Sequence, residues 1–187
     1  SPSTVSRVIA DHPRISEATK QRVRAAMREL QYYPNAIARS LVRQRSQTIG
    51  VALSRSAEAA LSNPFFPEVL RGIGSVAQPK RYTITLSTAT SPEDEYAQCM
   101  ELLRQRRVDG HILLTARSED RLVQSLLEEG YPFVVIGRVP HEDVVCVNND
   151  NIAAAYQATM HLVELGHRCI AFIGGPPALT VSQARLH

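Results

Sequence analysis

Two hydrophobic rhythms divide this chain of 187 residues. Val5, Val8 and Ile9, then Val23, Ala26, Met27 and Leu30, recur at helical spacing. From Thr48 onward, short apolar runs alternate with stretches of helical period. In the first part, Ser1-Pro2 reads as an N-cap followed by proline at the first helical position. Ser3, Ser6, Arg7 and Ala10 then fall on the polar side of that helix, which ends near Asp11-His12-Pro13. Ser16 caps a second helix, Glu17 suits its N-terminal dipole, and Lys20, Arg24 and Arg28 are expected on its outer face. Gln31-Tyr32-Tyr33-Pro34 ends it.

Pro34-Asn35-Ala36-Ile37-Ala38-Arg39-Ser40-Leu41 follows: a proline, then two turns of helix-compatible residues. Such a helix is too short to stand alone in water and orders only when braced. With the polar link through Gln47 it reads as a hinge, residues 34–47, between a head (1–33) and a body. In the body, strands are expected at Thr48–Leu53, Tyr82–Leu86, Val108–Leu114, Pro132–Ile136, Val144–Val147 and Cys169–Ile173. Helices are expected from Asn63 to Ala77, Ser91 to Arg104, Ser118 to Glu129 and Asn151 to Leu165. Strands alternating with helices of this length predict an α/β fold with a parallel sheet.

Charge sharpens the division. Residues 1–45 hold nine Lys/Arg against three Asp/Glu, whereas residues 46–187 hold twelve against fifteen. A basic head on a mildly acidic body is the footprint of a chain that meets phosphate at one end, although a solvated helical face would carry similar charges. The three cysteines (Cys99, Cys146, Cys169) lack metal-type spacing and are expected to pack as small buried hydrophobes in a reducing, cytoplasmic setting. No signal-peptide pattern and no apolar run of about 20 residues is visible, so no membrane partner is expected. There is no Gly-x-Gly-x-x-Gly after the first strand, no phosphate-loop pattern and no Gly-x-Ser-x-Gly. No catalytic residue, metal or cofactor is expected.

The run SPSTVSRVIADHPRISEATKQRVRAAMRELQYYPNAIARSL resembles the DNA-binding head of the LacI/GalR family of bacterial transcription regulators. The resemblance implies that Ser1 to Ala10 is the second helix of a helix-turn-helix whose first helix lies upstream. It implies base contacts from Pro2, Ser3 and Arg7, with Arg7 suited to a bidentate contact on guanine. Thr4, Ser6, Arg14 and Asn35 would contact phosphates and set register. Two hinge helices would pair across a homodimer on palindromic double-stranded DNA, with Leu41 wedged into the minor groove.

The signatures TIGVAL, NPFFPEVLRGI, RVDGHILL, FVVIGR, VNNDN and HLVELGHRCIAFIGG likewise resemble that family's regulatory core, which shares its architecture with periplasmic sugar-binding proteins. The resemblance implies a first subdomain at 48–149 and the beginning of a second at 150–187, with a small-molecule effector between them. Expected effector contacts are Asn63, Phe65, Phe66, Asp150 and Arg185. Phe65 and Phe66 could equally be core, Asp150 a helix N-cap and Arg185 a surface arginine. The wording is closest to the maltose- and catabolite-control branch, which implies a sugar effector, with a purine as an option and a phosphorylated carrier protein as a further partner. The implied function is a repressor switched by its effector. An extracytoplasmic sugar-binding receptor of the same fold is the alternative.

Overall fold

A computed structural model of the chain describes residues 1–32 and 45–187. It divides into two compact units, Ser1–Gln44 and Arg45–His187. Residues 33–44, which hold most of the expected hinge (34–47) with Asn35 and Leu41, lie outside the described residues.

The first unit contains α1 (Pro2–Ile9) and α2 (Glu17–Glu29). Both expected caps are present: the Ser1 and Ser16 hydroxyls accept from the backbone N–H groups of Thr4 and Thr19. Val8 is buried, with Val5 and Ile9 half-buried beside it. The second helix departs from the expected pattern in two ways. Ala26 and Leu30 are exposed, Leu30 to 76%. Lys20, placed by spacing on the outer face, is buried instead. Its ammonium reaches Asp11 at 3.0 Å and Glu17 at 2.9 Å. Two helices leave few apolar surfaces to pack against, so an ion cluster ties α2 to the turn after α1. Asp11 closes that turn at φ 52° and also accepts from Arg24 at 3.1 Å.

In the second unit, β1 (Thr48–Leu53), β2 (Thr83–Thr88), β3 (Gly110–Leu113), β4 (Phe133–Ile136) and β5 (Cys146–Val147) form one sheet in the order β2-β1-β3-β4-β5. Every pairing is parallel. Alternate residues of each strand serve opposite faces. Val51 and Leu53 join Ile112, Leu114, Ala60 and Phe66 under α3 (Ala57–Leu61) and α4 (Phe65–Ala77). Ala52, Leu113 and Val135 join Cys99, Met100, Leu103, Leu122 and Leu126 from α5 (Pro92–Arg104) and α6 (Arg121–Glu128). Helices therefore cover both faces of a parallel sheet, as the alternating pattern implied. Asp109 fixes where the chain enters β1: its carboxylate accepts from Ser46 N at 2.6 Å, Ser46 Oγ at 2.9 Å and Gln47 N at 3.0 Å.

Beyond β5 come α7 (Asn151–Glu164) and α8 (Thr180–Leu186). The expected strand at 169–173 is not formed, and Ile173 is 97% exposed. A strand is a paired object, and no neighbouring strand reaches this run among the described residues. The fifth strand is also shorter than expected, and α3 and α8 were not expected at all. Of the cysteines only Cys99 is buried; Cys146 is half-buried and Cys169 exposed. Burial pushes the Cys99 thiol up to about 12.

Candidate functional site

In a sheet of this order the helices change face between β1 and β3, and ligands of open parallel sheets sit beyond the carboxyl ends of the strands near such a point. There the chain leaves β1 through Ser54 and Arg55 and leaves β3 toward Arg117. Ser54 Oγ donates to Glu95 Oε1 at 2.5 Å. The Arg117 guanidinium reaches Glu95 Oε2 at 2.8 Å and Asp120 Oδ2 at 3.2 Å. Glu95 is only 3% exposed, so its charge is compensated inside the protein. Burial works to lower the Arg117 pKa, but the carboxylates of Glu95 and Asp120 outweigh it and hold the group above its ordinary value. Arg55 lies over the Phe66 ring, 4.9 Å from its centroid. Its Nε is buried with no hydrogen-bond partner among the described residues.

Beside β5 at the same edge is an open groove of about 1410 Å³. Its walls come from the loop after β4 (Arg138, His141), the start of α7 (Asp150, Asn151, Tyr156) and α8 (Thr180, Gln183). Asp150 lines it while also capping α7, accepting from Ala153 N at 2.9 Å. Arg185, on α8, does not line the groove; its Nε donates to Asn151 Oδ1, on the groove wall, at 2.9 Å. Asn63, Phe65 and Phe66 sit at the start of α4 and do not line this groove. Asn63 Oδ1 accepts from Phe65 N at 3.0 Å. Phe65 is 47% exposed, whereas Phe66 is 5% exposed and belongs to the core. The two rings meet edge to face, 5.2 Å apart.

Sequence reasoning did not single out Ser54, Arg55, Glu95, Arg117 or Asp120. Glu95 reads as one of three acids in the first turn of α5, and its partners Ser54 and Arg117, 41 and 22 residues away, mark it out.

On the head, Pro2, Ser3, Ser6 and Arg7 are exposed along α1, and Thr4 is half-buried. The hydroxyls of Ser3 and Thr4 both meet that of Ser1, at 2.8 and 3.1 Å. Arg14 is exposed, and its backbone N–H donates to His12 Nδ1 at 3.2 Å. Lys20 and Arg24 are engaged within the unit. The Lys20 pKa is raised by its hydrogen bonds to Glu17 and Asp11, and Lys20 in turn holds Asp11 below its ordinary value. Among the described residues there is no cluster of metal-ligating side chains. Among them, too, no helix is long and apolar enough to cross a membrane.

Residues 1–35 match the family model for bacterial regulatory proteins of the lacI family. Residues 46–186 match the model for periplasmic binding proteins and the sugar-binding domain of the LacI family. The chain is 44% identical over 186 residues to the HTH-type transcriptional regulator MalR of Streptococcus pneumoniae, covering 100% of this chain and 57% of that regulator. It is 38% identical to CelR of Thermobifida fusca, covering 98% of this chain and 54% of that one. It therefore spans just over half the length of these relatives. Among solved structures it is similar to a CelR–cellobiose complex (35% identity, TM-score 0.69, 100% of this chain and 55% of that one). It is also similar to the lac repressor dimer bound to operator and the anti-inducer ONPF (28% identity, TM-score 0.78, 100% and 56%). With a basic two-helix head matching one half of the family's description and a parallel α/β unit matching the other, the chain belongs to the LacI family of bacterial regulatory proteins.

Proposed function

We propose that the full-length protein is a cytoplasmic, homodimeric transcription repressor that reads palindromic operator DNA and is controlled by a sugar. The observation that carries this reading is the joining, in one chain, of a basic head to an α/β unit whose groove is lined by Asp150 and by Asn151, the partner of Arg185. Pro2, Ser3 and Arg7 form the base-reading edge of α1, with Arg7 donating a planar fork to guanine. Thr4, Ser6, Arg14 and Asn35 hold phosphates, and Leu41 wedges the minor groove. Asp150 accepts from sugar hydroxyls and Arg185 donates to them. Phe65, backed by Phe66 and oriented by Asn63, offers an apolar ring for a sugar face. The relatives are regulators, and nothing in the sequence or site calls for turnover.

The test uses the full-length protein. Calorimetry should detect binding of maltose or cellobiose, and operator binding should weaken steeply with salt and change when that sugar is added. Operator affinity insensitive to every sugar that binds would overturn the reading.

A further inference from the structure

The segment that leads into α8 docks on the loop after β3. Leu179 forms an antiparallel bridge with Arg117. On either side of it, Ser118 N donates to Ala178 O at 3.2 Å and Thr180 N donates to Ala116 O at 3.2 Å. The Thr180 hydroxyl reaches the same Ala116 carbonyl at 3.4 Å. This bridge lies immediately before α8, which has no side-chain cap of its own. Directly behind it, the Arg117 side chain runs back into the Glu95–Asp120 carboxylates, and Asp120 also caps α6 through Leu122 N and Val123 N. From the far side, Arg185 ties α8 to Asn151. Asn151 is buried, and its amide donates to Asn148 Oδ1 and Asn149 O, each at 3.1 Å.

We propose that Arg117 is a positioning residue of the groove: its buried clamp on Glu95 and Asp120 holds the Ala116–Ser118 segment as the docking site for Ala178–Thr180 and so sets where α8, with its groove-lining Thr180 and Gln183, sits. The clamp is suited to this. A guanidinium gripped by two carboxylates cannot slide as an exposed arginine can, and the run before α8 forms no strand that could place it otherwise. That the groove takes the effector rests on the function proposed above; the positioning role does not.

Thr180→Pro tests the link with little risk to folding. Proline is favoured at the first position of a helix, and Leu179 before it is already extended at ψ 128°. The substitution removes the N–H that reaches Ala116. In the full-length protein, exchange of the Ser118 amide and of the α8 amides should speed up about tenfold in Thr180→Pro, with β1 and β3 amides unchanged. Arg117→Met combined with Glu95→Gln and Asp120→Asn, which leaves no lone buried charge, should accelerate the same amides. Arg117→Lys, which keeps the charge, should recover part of the protection. Unchanged Ser118 protection in Thr180→Pro, or acceleration spread evenly over the whole sheet in the Arg117 variants, would overturn the positioning role. If maltose and cellobiose bind neither wild type nor variants, the effector reading fails and the exchange result still decides this one. If either binds, Arg117→Lys should weaken it several-fold with the operator-binding head intact.

Discussion

His111 shows how much can hang on one residue that the sequence does not flag. It is 2% exposed, and its Nε2 lies 3.1 Å from the Cys99 carbonyl, so that nitrogen carries the proton. The other face of the ring lies against Gly50, where an added Cβ would come within 2.2 Å of Nδ1. Gly50→Ala should therefore destabilise the α/β unit by about 1–3 kcal/mol, read as a lower urea midpoint at constant slope. Burial lowers the His111 pKa from its ordinary 6.5. A histidine depressed in the folded state contributes its full share above the unfolded pKa, and that share is lost as pH falls below it, because the unfolded chain takes up the proton first. The urea midpoint should drop between pH 7 and 5.5, and His111→Gln should flatten that drop. An equal drop in the variant would move its origin elsewhere. The local chemistry of caps was legible at this scale, since Ser1 and Ser16 act through neighbours three residues on. The burial of Lys20 and Glu95 was not, because their partners Asp11 and Arg117 are chosen by tertiary approach.

At the scale of elements, legibility followed length and pairing. β1 and α5 begin and end at the residues their patterns indicate, because each has a long apolar signal and, for α5, Ser91-Pro92 at its start. The short α3 and α8 carry too few residues for a period to show. The 169–173 run is strand-like in composition, yet hydrogen-bonded pairing is decided by a partner and not by the run. Caps give a quantitative check. Ser91 accepts from Asp94 N at 3.1 Å, so Ser91→Ala should cost about 1 kcal/mol. Asp120 caps α6 and also neutralises Arg117. Asp120→Ala should cost distinctly more, toward the roughly 3 kcal/mol of a broken buried pair. Equal losses in the two variants, measured by urea unfolding, would mean that the Arg117 contact contributes little.

Over the whole molecule, the head–body division was visible in charge and pattern alone, whereas the groove was not. It joins Arg138, Asp150 and Thr180, which lie far apart in sequence and meet only through the topology at the carboxyl edge of the sheet. The same division makes a claim about salt. Lys20 and Arg24 count toward the basic balance of the head, yet both hold Asp11. Arg14 is exposed, and no ion pair engages its side chain among the described residues. Counterion release follows the phosphates neutralised and not the formal charge, with a slope of about 0.9 per contact in a plot of log affinity against log salt. In the full-length regulator Arg14→Ala should flatten that slope by about one contact per head, or nearly two per dimer. Lys20→Met should leave the slope unaltered while loosening the turn at Asp11, so that operator affinity falls by a similar factor at every salt concentration. Should Lys20→Met flatten the slope as much as Arg14→Ala, the ammonium must leave Asp11 and Glu17 for the duplex, and the ion cluster would be a store of charge released on binding.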